Sequence, residues 1–330
     1  MKQRGFRKMR FRKPMILVFA CIAFVMYLSM RLYSTEEVTT SVISTQHASN
    51  IMQVYLKDQS NTLVPLSIPV SEEESEEDKL KLMFAYLSGK QTLEGFYPLF
   101  QKECFLNDVK MGDGVARLYF DASLKNYKKE DELRVLEAIT WGATQFSSVE
   151  KVELYLNEQR MKEMPLGQTP IPEILNRDIG INHFETATDS LHDSFSLTVF
   201  STKKIGSREY LVPKSRRCRL DKQDVASQVA VILEDISVSS GLSSKLHTDR
   251  IEIKNMNMKD GLLKVELNDH ILASDASVKQ NAYDTFVLSL ASIPMIERVE
   301  IRVGKQIIHP TKEESTSVSL VEMTYNEVEF

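Results

Sequence analysis

The apolar positions of residues 113–159 change period twice. Ala116, Leu118 and Phe120 alternate with polar neighbours, the two-residue period of a half-buried strand; Val135, Leu136, Ile139, Ala143 and Phe146 then recur at helical spacing; Val152, Leu154 and Leu156 return to alternation. The same strand, helix, strand pattern returns without a gap 147 positions later, over residues 260–306. There the strands carry Leu263, Val265 and Leu267, then Val299, Ile301 and Val303, and the helix carries Ala282, Tyr283, Phe286, Leu290 and Ile293. Only six positions are identical between the copies: Asp113/Asp260, Gly114/Gly261, Glu150/Glu297, Val152/Val299, Glu153/Glu300 and Gln159/Gln306. Both copies open on Asp-Gly, a strong hairpin signal. A pattern that outlives its letters at a domain-sized period predicts a duplicated domain.

Extending each copy towards its N-terminus completes the unit. In the first, residues 51–161, strands are expected at 51–55 and 63–70 around turn residues 58–61, with Pro65 and Pro69 confining the second strand to a sheet edge. The acidic run 71–79 reads as a helix start. Ser71 and Glu74 form a capping-box pattern, acids in a first turn suit the helix dipole, and Leu80, Met83, Phe84 and Leu87 follow at helical spacing before Gly89. A hairpin of 105–111 with 115–121, a helix over 129–146 and a strand over 149–156 close the order ββαββαβ. The fold class is α+β: two tandem ββαββαβ-like units, each one sheet with two helices on one face. In the second unit, residues 195–310, residues 195–200 are set against 51–56, residues 210–212 against the second strand, and Val225, Val229, Ile232 and Ile236 form the first helical stripe. The linker 162–194 is too long for a simple connector, and Ile181, His183 and Phe184 are expected to dock and fix the units relative to one another. The acidic, Ser/Thr-rich tail 311–330 is expected to be disordered in its outer part.

Charge separates the ends of the chain. Of the −5 net charge, residues 1–30 contribute seven Lys/Arg and no acid, which leaves 34 basic and 46 acidic residues, a balance of −12, for the rest. A domain region this acidic is poorly suited to nucleic acid. The basic flank 1–13 precedes an apolar run that, taken as 14–33, is long enough to span a bilayer, with Arg31 snorkelling to the interface. Positive charge on the first flank places it in the cytoplasm. The expectation is a single-pass signal anchor in the cell membrane, a tether over 34–50, and both units extracytoplasmic. A cleaved signal is disfavoured because no small-residue site follows the run. Acylation at Cys21 as a lipoprotein is disfavoured because the run continues well past it to Met30.

Chemistry of the usual kinds is absent from the pattern. No phosphate-binding loop, zinc HExxH, nucleophile elbow or GxGxxG occurs, and the six histidines are scattered. No catalytic residue, cofactor or metal ligand is therefore assigned, and the chain is not expected to be an enzyme. Glu132 and Glu137 share a charged helix without a pattern that would make them catalytic. Cys104 and Cys218 occupy unmatched positions and form no repeated framework, although a bridge between them stays open outside the cytoplasm. Trp141, the only tryptophan, is expected to pack at a domain edge, and His183 to serve packing or surface. The candidate protein-contact residues are Arg216, Arg217 and Arg219, of a basic run that begins at Lys214 and is placed roughly where the first unit is acidic, with Glu153, Glu300 and Arg302 on the polar sheet faces.

The order of these elements resembles the GerM domain of sporulation and spore germination proteins. The residues that carry the likeness are 54–58, the helix ending at Gly89, residues 115–124 and the segment 144–159, matched in the second copy by 199–203, 262–269 and 291–306; the linker segment 179–182 also resembles the join of tandem members. The resemblance covers most of residues 51–310. It implies an extracytoplasmic, non-enzymatic component with a fold similar to ring-building motifs, supporting a transenvelope complex between mother cell and forespore, with envelope or sporulation-complex proteins as partners and self-association open. The competing class is a cell-wall or small-molecule binding module with its site between the units.

Overall fold

The computed structural model describes residues 43–44, 51–183, 194–239, 251–272, 278, 280–308 and 325–328. The basic flank, the expected span and most of the tether lie outside them; among the described residues no helix is long and apolar enough to cross a membrane. Within the tether, strand β1 (Ile43–Ser44) pairs antiparallel with residues 298–299.

The first unit begins with a hairpin, β2 (Ile51–Lys57) and β3 (Leu63–Pro69), followed by helix α1 (Glu76–Leu87). The N-cap of α1 is Ser75, whose hydroxyl accepts from Asp78 N at 3.1 Å, one turn beyond the expected Ser71. Ser71 and Glu74 instead close a turn of their own, with Glu74 N donating to Ser71 O at 3.2 Å. The later start puts Glu76, Glu77 and Asp78 in the first turn, where the unpaired N–H groups favour acids. Strands β4 (Leu106–Gly112) and β5 (Val115–Phe120), helix α2 (Glu132–Ala143) and strands β6 (Lys151–Leu156) and β7 (Gln159–Arg160) complete the unit. The second unit repeats the order with β8 (Phe195–Ile205), β9 (Arg208–Cys218), α3 (Val225–Ser239), β10 (Ile253–Lys259), β11 (Leu262–Leu267), α4 (Gln280–Ala291), β12 (Arg298–Val303) and β13 (Gln306–Ile307).

The α+β class and the tandem duplication hold, but the strands of each unit are divided between two sheets where the sequence suggested one. The hairpin keeps its own two-stranded ladder, and β4, β5, β6 and β7 form a second sheet with β5 and β6 parallel. Helices α1 and α2 touch both β2 and the larger sheet. The hairpin does not join that sheet because its outer groups are taken. Gln145 just past α2 accepts from Gln53 N at 2.6 Å and donates to Gln53 O at 2.9 Å, and Pro65 and Pro69 have no N–H to offer.

Duplication extends to irregularities. Val115 pairs with Lys151 and Leu262 with Arg298; the register shift at Leu106/Asp108 recurs at Ile253/Asn255. Asp113 and Gly114 have φ of 55° and 73°, Asp260 and Gly261 48° and 73°, the doubly positive turn that Asp-Gly is suited to make. The hairpins differ in spacing because the turn between β2 and β3 spans 58–62 while β8 and β9 meet at a two-residue turn. Ser292 donates to Thr198 O at 2.7 Å in the place of Gln145 on Gln53, so residues 51–56 correspond to 196–201. That is the register of the 54–58 match with 199–203 and one residue on from the alignment of 51–56 with 195–200, a slip that would exchange the two strand faces.

Both units belong to one compact body, Ser41–Phe330, and β3 lies against β9 at their junction. These strands run the same motif, Leu63-Val64-Pro65 and Leu211-Val212-Pro213, with Ser67 and Ser215 two residues on. They are stitched by two asparagines in a pseudo-two-fold arrangement. Asn182 of the linker accepts from Leu63 N at 2.8 Å and donates to Leu63 O at 2.7 Å and Pro213 O at 2.9 Å. Asn326 accepts from Leu211 N at 2.8 Å and donates to Leu211 O and Pro65 O, both at 2.7 Å. Both sit at positive φ, 48° and 57°, a region asparagine tolerates. Residues 325–328 are thus part of the fold, against the expected disorder of the tail's outer part. Tyr325 is buried edge-on to Phe200, 5.7 Å between centroids, and that burial offsets the entropy of fixing the segment.

Candidate functional site

Beside the Asn182 stitch lies a cleft of about 330 Å³ lined by Ser60, Asn61 and Thr62 of the β2–β3 turn, Leu133, Arg134 and Glu137 of α2, Asn182 and His183 of the linker, and Lys214 of β9. Helical spacing brings Arg134 and Glu137 onto one side of α2. The linker is held over that helix by Trp141, whose indole donates to Gly180 O at 2.9 Å and whose face is covered by Arg177 at 4.8 Å. Gly180 has φ of 79°, and a Cβ there would fall 2.5 Å from the His183 ring, so both the turn and the seating of the imidazole require glycine. Ile181 is fully buried and exchanges bonds with Ser215, donating to its hydroxyl at 2.9 Å and accepting from its N–H at 2.8 Å. The expected docking of Ile181 and His183 is observed; Phe184 lies outside the described residues.

Glu137 is 2 % exposed, and burial pushes its carboxyl up to about 7, against the opposing effects of Asn182 N, which donates to Oε2 at 3.3 Å, and of the Arg134 charge. His183 Nε2 lies 3.8 Å from Glu137 Oε1 and 2.9 Å from Ile179 O. A carbonyl only accepts, so Nε2 carries the proton. Burial holds the imidazole below its usual range, and the Arg217 charge acts the same way. With the acid raised and the base lowered, the pair below about pH 7 is neutral rather than an ion pair. Burial and the neighbouring Lys203 also lower the Lys214 ammonium.

The acids next to the cleft are already matched. Asp58 pairs with Lys203, which also donates to Thr62 Oγ1 at 2.7 Å, and Asp131 pairs with Lys57 at 2.7 Å. Arg134 uses Nε on Asn61 O at 2.6 Å and forms no ion pair with a carboxylate among the described residues; the Lys214 side chain forms no hydrogen bond or ion pair there. The cleft is therefore cationic inside an acidic chain.

Glu132, one turn earlier on α2, serves a different end. It accepts from Leu166 N at 2.8 Å, Gly167 N at 2.6 Å, Thr169 N at 3.1 Å, Thr169 Oγ1 at 2.8 Å and Tyr127 OH at 2.7 Å. Burial alone would raise its carboxyl, but these donors hold it down at about 2. It is an ionised anchor for the linker.

The candidate contact residues are dispersed and largely engaged within the chain. Arg216 pairs with Asp235 of α3 at 2.9 Å, and Arg217 donates to Ser194 O at 2.6 Å and Asp178 O at 3.2 Å; Arg219 is exposed. Glu153 lies between Arg117 at 3.4 Å and Arg160 at 3.3 Å. Glu300, the matching residue, is buried between Lys264 at 3.5 Å and Arg302. The polar sheet faces are thus crossed by internal ion pairs, with Glu300 beneath its partners. Cys104 and Cys218 belong to separate core clusters. No group of three His, Cys, Asp or Glu converges on a metal position among the described residues. The sequence names Lys214 in the basic run and Glu137 and His183 without a site role, and no pattern brings the cleft residues together. The one available signal is the Lys214/Leu66 difference within the repeated Leu-Val-Pro-x-Ser motif.

Two ββαββαβ units joined by a docked linker define a tandem two-domain α+β protein. A family model described as "Germane: Sporulation and spore germination" matches residues 53–162. The spore germination protein GerM of Bacillus subtilis is 31 % identical over 271 residues, 78 % of this chain and 73 % of that protein. The solved tandem GerMN domains of the sporulation protein GerM from Bacillus subtilis superpose with a TM-score of 0.67 at 27 % identity, covering 78 % of this chain and 91 % of that one. The chain belongs to the GerM family of sporulation and spore germination proteins.

Proposed function

We propose that the chain is a non-catalytic envelope protein of sporulation, anchored through the apolar run 14–33 with both units extracytoplasmic, that supports assembly or stability of a transenvelope complex between mother cell and forespore. The observation that carries this reading is the junction. Two complete units are stitched into one body at facing edge strands by Asn182 and Asn326, an arrangement that spends the linker and the end of the tail on fixing the relation of two surfaces. The buried acid and base of the cleft are turned towards the chain itself, Glu137 to Asn182 N and His183 to Ile179 O, which suits holding a linker better than turning over a substrate. Envelope or sporulation-complex proteins, or further copies of the chain, are the partners in this reading, with Arg219 the exposed member of the basic run. Crosslinking in intact sporulating cells tests it: capture of proteins spanning the two membranes supports the reading, and Arg219→Glu should weaken it, whereas capture of cell-wall fragments alone refutes it.

A second reading, an extracytoplasmic small-molecule or cell-wall binding module, is favoured by the presence of the polar cleft itself.

A further inference from the structure

We infer that the cleft between the units is a receptor for a carboxylate group, held between Arg134 of α2 and Lys214 of β9. The inference rests on the second reading above and is independent of the assembly role. Its first support is charge. Every acid beside the cleft except Glu137 is matched to a lysine, so among the described residues Arg134 and Lys214 share this space with the single buried carboxyl of Glu137. Lys214 is half-buried and its charge is disfavoured by that burial and by the nearby Lys203; an incoming anion would relieve both effects. Lys214 is also the departure from symmetry. In the repeated Leu-Val-Pro-x-Ser motif its counterpart is Leu66, which is fully buried, so a charge stands here where the fold alone is satisfied by an apolar residue.

The rest of the lining narrows the ligand. Asn61 and Thr62 line one wall with an amide and a hydroxyl, while the Asn182 amide at the other is committed to Leu63 and Pro213. Glu137, buried at the cleft wall, is neutral over the acid side of neutrality and does not oppose a bound carboxylate there, whereas once ionised it would repel one. The two cations attract a phosphate as well as a carboxylate, so inorganic phosphate is the competitor against which the carboxylate assignment is tested. The volume suits a fragment the size of an acidic amino-acid residue. Such a carboxylate comes either from a free small molecule or from a side chain of a protein partner.

Trp141 is a built-in reporter, since it is the only tryptophan and its indole is bonded to the backbone two residues before Asn182. The purified full chain would be titrated at pH 6 with N-acetylglutamate, with the peptide acetyl-Ala-Glu-Ala-amide, with N-acetylglutamine amide and with inorganic phosphate, following Trp141 emission and calorimetry. Saturable binding of either carboxylate probe is expected, with the uncharged amide inert. Tighter binding of the peptide assigns the source to a partner chain, and tighter binding of the free acid to a small molecule. Lys214→Met should weaken binding at least about tenfold while Lys214→Arg retains it, with unchanged thermal midpoints showing that the fold is intact. Equal binding of the amide, saturation by phosphate at lower concentration, or full binding by a folded Lys214→Met variant would overturn the inference. Failure of these titrations leaves the crosslinking outcome untouched, so the assembly reading stands or falls separately.

Discussion

Replacing Glu137 with glutamine isolates the energetic cost of the buried acid. The amide keeps the shape of the protonated carboxyl and an acceptor for Asn182 N, and it does not titrate. In the folded chain burial raises the Glu137 carboxyl from 4.5 to about 7. Between those values the folded state holds a proton that the unfolded state has released, so stability falls as pH rises, by about 1.4 kcal/mol per pH unit. Over the whole interval this comes to roughly 3 kcal/mol, fully expressed above pH 7 and absent below pH 4.5. The groups facing Glu137 are His183 and Asn182 on the linker, Arg134 on its own helix and Lys214 on β9, with Arg217 acting on His183. His183 titrates with the opposite sense, because its folded form resists protonation as pH falls through its lowered range. That contribution is common to both proteins and cancels in their difference.

Urea unfolding of wild type and Glu137→Gln, followed by Trp141 emission from pH 4.5 to 8.5, measures the difference directly. The two should coincide at the acid end, and the variant should become the more stable by roughly 3 kcal/mol above pH 7. Parallel profiles would refute the reasoning. A variant less stable at pH 8 would show instead that ionised Glu137 is compensated by Arg134 or a charged His183.

Glu132→Gln should behave in the opposite way. The wild-type carboxyl lies at about 2 in the fold, so its contribution, roughly 3 kcal/mol, is present above pH 4.5 and disappears as pH falls through 2; unfolding midpoints at pH 7 and pH 3 should show a large loss at the first and a small one at the second. Asn326→Ala removes three hydrogen bonds to the facing edge strands and should cost on the order of 2–4 kcal/mol, read as faster amide exchange at Leu211 and a lower urea midpoint; an unchanged midpoint would mean that the tail contributes nothing to the junction.

The duplicated strand, helix and strand are legible because each is written as a period. Leu118 and its counterpart Val265 are buried for the same reason that their neighbours are not, and the Asp-Gly turns demand their conformation locally. The N-terminal hairpins are less legible. Their arms differ in turn length, so one fixed offset cannot align both, and the one-residue slip at 51–56 follows. The division into two sheets has no local signal either, since it depends on Gln145 reaching back 92 residues to occupy Gln53. The cleft is hidden for a similar reason. Arg134, Asn182 and Lys214 come from a helix, a linker and a strand, and each alone reads as an ordinary surface residue. Docking of Tyr325 and Asn326 lies in a segment whose composition describes its surroundings more than these two side chains.

The junction shows how duplication and divergence divide the work. Asn182 and Asn326 perform the same bonding on opposite units, Ser215 accepts from Ile181 N as Ser67 donates to Tyr325 O, and Pro65 and Pro213 leave matching gaps in the two edges. Those features build one body from two copies, and they are shared. Around them the copies part. Lys214 stands opposite Leu66, and the residue after the stitching asparagine is His183 in one case and Glu327 in the other. An interface required only for stability would gain nothing from a half-buried lysine beside another lysine, because burying a cation without a partner costs free energy. Stability therefore accounts for the symmetric residues, and the unsymmetric ones ask for a ligand or partner, which is why Lys214 rather than either asparagine is the residue whose substitution separates binding from folding.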